Sequence, residues 1–91
     1  MNNMRIKDEF VLQELIDEYI VVPVGDESDR LHGIIRLNDT GAFLWKLLSQ
    51  NDKTEDALVN ALVDEYLIDI DTAKKDVNDF ICVVKEYGCI L

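Results

Sequence analysis

Four groups of side chains in this sequence are of types that could do chemistry. The single histidine, His32, has neither a Ser-His-Asp nor a Cys-His setting. A serine or cysteine nucleophile needs a base that is itself oriented by a third group. Cys82 and Cys89 lack C-x2-C spacing and the further ligands of a zinc site, so they read as two reduced thiols of a cytosolic protein. Asp69 and Asp71 stand together at the start of a helix, where capping accounts for paired carboxylates. Ser28 falls in a hairpin loop, not ahead of a helix in an Asp-Ser-Leu motif, which is unlike the phosphopantetheine serine of a carrier protein. There is no phosphate-cradling loop. These residues predict no enzyme, no metal and no cofactor.

Charge narrows the partners. Nine Lys and Arg stand against nineteen Asp and Glu, a formal charge of −10. Nucleic-acid affinity comes largely from cations that displace phosphate counterions, and an acidic membrane surface repels the same excess of carboxylates. The nearest approach to a basic run is Lys74-Lys75, flanked by Asp71 and Asp76. No stretch nears the roughly 18 apolar residues of a membrane span. The first residues carry no apolar secretory core. The expectation is a cytoplasmic protein that binds neither nucleic acid nor membrane. At 91 residues and 48% hydrophobic composition, the chain makes one globular domain over 1–91, too small for a deep pocket.

What remains is the chemistry of the backbone, which depends on how the elements lie. Apolar and β-branched residues over 9–24, broken by Asp17-Glu18, predict strands over 9–16 and 18–24 joined by a tight turn. Pro23 suits a strand end. A polar loop from Gly25 to Arg30 closes a second hairpin onto a strand over 31–37. Leu31, Gly33, Ile35 and Leu37 take one of its faces, and His32, Ile34 and Arg36 the other. Asn38 caps a helix over 38–49, whose early Gly41 implies a close contact with the sheet. Thr54 caps a helix over 54–66 with Leu58, Ala61 and Leu62 as its buried stripe. A third helix over 71–87, capped by Asp71, ends near Gly88. The fold class is α+β: a winged helix-turn-helix-like β-β-β-α-α-α order, with a three-stranded antiparallel sheet followed by three helices.

On the third helix Ala73, Val77, Phe80, Ile81 and Val84 share one side, which is core. Asp76, Val83 and Tyr87 widen that arc beyond what a simple surface helix needs. If the strands lie in sequence order, the third is an edge with unpaired N–H and C=O groups. Its only charge, Arg36, guards it weakly. An extended peptide can add there as a further strand, with the margin of the third helix as the second wall of a groove. The competing arrangement covers the edge with the protein's own loop or with Cys89-Ile90-Leu91. An open edge also permits self-pairing, which allows a homodimer.

The segment Leu37-Asn38-Asp39-Thr40-Gly41-Ala42-Phe43-Leu44-Trp45-Lys46-Leu47-Leu48 closely resembles the PqqD signature, L-N-x-T-G-x-x-I/L-W-x-L-L. Glu65-Tyr66, Asp69, Ala73, Asp76-Val77, Phe80 and Gly88 follow in the family's order, so the likeness runs over about 9–91. The resemblance implies a recognition element for ribosomally made, post-translationally modified peptides. Such a domain binds a precursor's leader peptide as an added strand and presents it to a modifying enzyme, often a radical SAM protein. Carried over by position, the implied peptide-binding residues are Leu31, His32, Gly33, Ile34, Ile35 and Arg36 on the strand. On the helix they are Asp76, Phe80, Val83, Val84 and Tyr87. Leu37, Asn38, Thr40, Gly41 and Trp45 match the signature but read as structural. The products served by the family include pyrroloquinoline quinone, lasso peptides and sactipeptides. The alternative is a winged-helix regulator of transcription reading DNA with the third helix. That helix sets Lys74, Lys75 and Lys85 against Asp71, Asp76, Asp79 and Glu86, which serves phosphates poorly.

Overall fold

A computed structural model describes residues 3–7, 10–24 and 35–90. Three strands, β1 (Phe10–Glu14), β2 (Tyr19–Pro23) and β3 (Ile35–Leu37), precede three helices: α1 (Asp39–Gln50), α2 (Glu55–Tyr66) and α3 (Ile70–Glu86). The sheet is antiparallel in the order β1-β2-β3, with Leu12 opposite Val21 and Val21 opposite Ile35. This is the α+β order read from the sequence. The expected residues 31–34 of the third strand, and the Gly25 to Arg30 loop, lie outside the described residues.

Alternation along the strands decides which side meets the helices. Val21 and Ile35 are buried, whereas Arg36 points outward. The first strand stops at Glu14, two residues short of the expectation. The Leu15 amide bonds the Glu18 carbonyl at 2.8 Å and closes the turn there, leaving Ile16 almost wholly exposed.

The helices start where their caps dictate. Asn38 and Thr54 accept the Gly41 and Ala57 amides, as their positions in the sequence predict. The third helix corrects the expectation. Its cap is Asp69, not Asp71, because the Asp69 carboxylate reaches the Thr72 amide at 2.7 Å with an extended backbone. Asp71 falls in the first turn, where its charge complements the helix dipole. Leu67 ends α2 in the left-handed region, at φ 54°. The buried stripe of α2 is Leu58, Val59 and Leu62; Ala61 is only half-buried. α2 packs on both α1 and α3, and this turns the arc toward Val59.

The α3 core row is as expected: Ala73, Val77, Phe80, Ile81 and Val84 are buried. They join Leu44, Trp45 and Leu48 of α1 and the inner face of the sheet. The chain's two ends meet. Met4 pairs with Lys53 and Ile6 with Ile90, and the Lys7 amide bonds the Cys89 carbonyl at 2.8 Å. Cys89 and Ile90 are thus engaged with the N-terminal segment and not with β3.

Candidate functional site

β3 and α1 are joined by a single residue, Asn38, and that junction builds one end of a groove. The Asn38 side-chain oxygen accepts the Gly41 amide at 2.8 Å and the Thr40 hydroxyl at 3.0 Å. This cap turns the chain sharply from strand to helix and leaves Leu37 in the groove lining. The far wall is α3, where Asp76, Phe80 and Val83 recur at i, i+4 and i+7 on one line of the helix, with Asp79 beside them. Between the walls lies an open space of about 310 Å³, lined by Arg36, Leu37, Asn38, Thr40 and Gly41 on one side and by the α3 residues on the other.

The site's character is mixed. Phe80 belongs to the core and turns a small remaining surface to the groove; Leu37 and Val83 are half-buried. These three give an apolar floor. Asp76 is half-buried and Asp79 exposed, so the α3 side carries carboxylates. Asp79 accepts Lys75 at 2.9 Å, and that hydrogen bond holds the lysine's pKa above its ordinary value. Arg36 points outward and reaches Glu18 only at 3.9 Å. β3 pairs with β2 alone among the described strands, so its other edge faces this groove.

The residues named from the sequence are placed unequally. Arg36, Asp76, Phe80 and Val83 come together in the lining. Ile35 is buried at the inner face of β3. Val84 has no exposed surface at all, since its side chain points into the core. Tyr87 caps α3 and packs against the core outside the lining. Leu31, His32, Gly33 and Ile34 lie outside the described residues. Sequence reasoning overlooked Asp79 as a wall residue. It also read Leu37, Asn38, Thr40 and Gly41 as mainly structural, although they line the groove as well. Asp79's place three residues after Asp76 was the available signal.

A second, larger space of about 470 Å³ lies between β1 and α1, lined by Phe10, Leu12, Trp45 and their neighbours. Lys46 spans it to bind Glu14, and the same ammonium sits 5.6 Å from the Tyr19 ring centre. That hydrogen bond to Glu14 raises the Lys46 pKa. The β1 side is thus crossed by the protein's own ion pair. Among the described residues no group of three His, Cys, Asp or Glu could hold a metal ion, and no helix is long and apolar enough to cross a membrane.

Strand, cap and α3 wall are the parts that comparison with known proteins can place. The family model described as coenzyme PQQ synthesis protein D (PqqD) matches residues 18–90, which takes in every element of the groove. The chain belongs to the PqqD family. No curated protein matches it. Two solved structures share its fold, each with a TM-score of 0.72. One is TbiB1 in complex with the TbiA(beta) leader peptide, at 23% identity over 94% of this chain and 93% of that one. The other is lasso peptide synthetase B1 complexed with the leader peptide, at 20% identity over 97% and 96%.

Proposed function

We propose that this protein recognises a ribosomal precursor peptide without catalysing its modification. The leader binds as an added strand between β3 and α3, and the domain presents the precursor to a modifying enzyme, such as a radical SAM protein, in the cytoplasm. The observation that carries this reading is the open edge of β3 beside an apolar floor of Leu37, Phe80 and Val83. Membership of the PqqD family supports it, as does the likeness in fold to two proteins solved with leader peptides.

Energetics require both walls. Five added backbone bonds at about 1 kcal/mol each are offset by roughly 2–5 kcal/mol for ordering a flexible peptide. Micromolar binding corresponds to about 8 kcal/mol. The difference has to come from two or three apolar anchors, each worth about 1.5–3 kcal/mol when buried. The floor beside β3 offers the place for them.

The test is an NMR titration with the leader of a precursor encoded beside this gene. Shift changes should concentrate on Ile35–Leu37 and on the Asp76, Asp79 and Val83 face of α3. Those β3 amides that do not bond β2 should also gain protection from hydrogen exchange. Shift changes spread over β1 and α2, or an absence of binding, would overturn the reading.

A further inference from the structure

The groove beside β3 is apolar at its floor and acidic at its α3 wall, and the two are close enough for one strand to meet both. Successive side chains of an added strand alternate faces, so only every second residue points into the groove. Two such residues stand about 7 Å apart. Along α3, Phe80 lies one turn from Asp76, about 6 Å by the helix rise. A residue seated against Leu37, Phe80 and Val83 therefore places the next groove-facing residue within reach of the Asp76 and Asp79 carboxylates.

Those carboxylates are available to a cation. Asp76 makes no hydrogen bond or ion pair with any described residue. Among the described residues Asp79 is held only by Lys75, an exposed pair with the lysine on the N-terminal side, the weaker of the two helical orders. Arg36 lines the opposite side of the groove, and its ion pair among the described residues is with Glu18, at 3.9 Å, not with Asp76 or Asp79. An acidic side chain in the same place would meet two carboxylates and the field of a chain with a net charge of −10.

Resting on the peptide-binding reading above, we infer that the groove selects a strand carrying a large apolar residue and, two positions from it, a lysine or arginine. The apolar residue anchors on Leu37, Phe80 and Val83, and the cation pairs with Asp76 and Asp79. Partial shielding of Asp76 by the groove makes this pair stronger than an exposed surface bridge, and the two-residue spacing is what an extended strand imposes.

The test uses a displayed library of random twelve-residue peptides, panned against the intact protein and against an Asp76→Asn/Asp79→Asn variant. Asp79 is exposed, and Asp76 is half-buried without a hydrogen bond or ion pair to any described residue, so replacement by the isosteric Asn is expected to leave the melting temperature close to the parent's. Peptides enriched on the parent should combine a large apolar residue with Lys or Arg two positions away. On the variant the apolar preference should persist and the basic preference disappear. For a synthetic peptide of the enriched sequence, Lys→Gln should weaken binding to the parent about tenfold and to the variant little, the pattern of a coupled pair in a double-mutant cycle. Enrichment of the apolar residue alone, or a basic preference that survives in the variant, overturns the inference and leaves strand addition standing. A library that yields no peptide protecting the β3 amides overturns the peptide-binding reading itself.

Discussion

The side-chain oxygen of Asn38 accepts the Gly41 amide at 2.8 Å, and it lies 3.1 Å from where a Cβ on residue 41 would stand. One contact thus caps α1 and excludes a side chain. Leu37 presses from the other side, its Cβ 3.3 Å from the same point. Glycine fits here because the approach is close.

Gly41→Ala should therefore destabilise the protein despite alanine's better helix propensity. The gain of at most about 1 kcal/mol is outweighed by displacement of an oxygen already fixed by two donors and of a strand-end side chain. A net loss on the order of 1 kcal/mol is expected, comparable to losing an N-cap, measured by urea unfolding. An unchanged midpoint would show that Asn38 and Leu37 can give way.

Val83 and Val84 are neighbours in different surroundings, the first in the groove lining and the second in the core. Val84→Ala opens space in a fully buried site and should cost about 2 kcal/mol of stability, with the affinity of the folded protein for leader peptide unchanged. Val83→Ala should alter stability by less than about 1 kcal/mol. It should nonetheless weaken peptide binding roughly three- to tenfold through lost apolar contact. Calorimetric titration beside thermal melts separates the two. The pairing fails if the affinity loss follows Val84.

Leu67 adopts φ 54° with its side chain 88% exposed, so it has the strain of a left-handed residue and little burial to offset it. Leu67→Gly should raise stability by about 1 kcal/mol, since glycine enters this region freely. The gain should appear as a higher urea midpoint with an unchanged slope.

The Asp69 cap makes part of the stability depend on pH. The hydrogen bond from the Thr72 amide lowers its pKa below the ordinary carboxylate value. With the folded pKa below the unfolded one, the contribution is complete above about pH 4 and is lost as pH falls through the folded value. Asp69→Asn keeps a capping oxygen but cannot titrate. On acidification the parent should lose thermal stability relative to this variant. The relief of repulsion from the chain's net negative charge is nearly common to both and drops out of the difference. A difference between the two melting temperatures that stays flat with pH would remove Asp69 from this role.

Local physics made much of this protein legible from its sequence. The caps at Asn38 and Thr54, the α3 core row from Ala73 to Val84, and the strand–strand–strand–helix order all follow from interactions within a few residues. So do the alternating faces of β3, which bury Ile35 and expose Arg36. Where two local solutions compete, as at Asp69 and Asp71, the sequence pattern pointed to the wrong one, Asp71; the backbone geometry that brings Asp69 to the Thr72 amide decided it. The groove belongs to the tertiary level. Val83 and Val84 are adjacent valines in the sequence, and only the packing angle of α3 turns one toward β3 and the other into the core. Asp79 became a wall residue for the same reason. The union of Met4 and Ile6 with Lys53 and Ile90 likewise joins residues far apart in the chain, which no local pattern records. Residue types and periodicity determined what could be buried, capped or paired. The docking of α3 against the sheet decided which of those surfaces face one another.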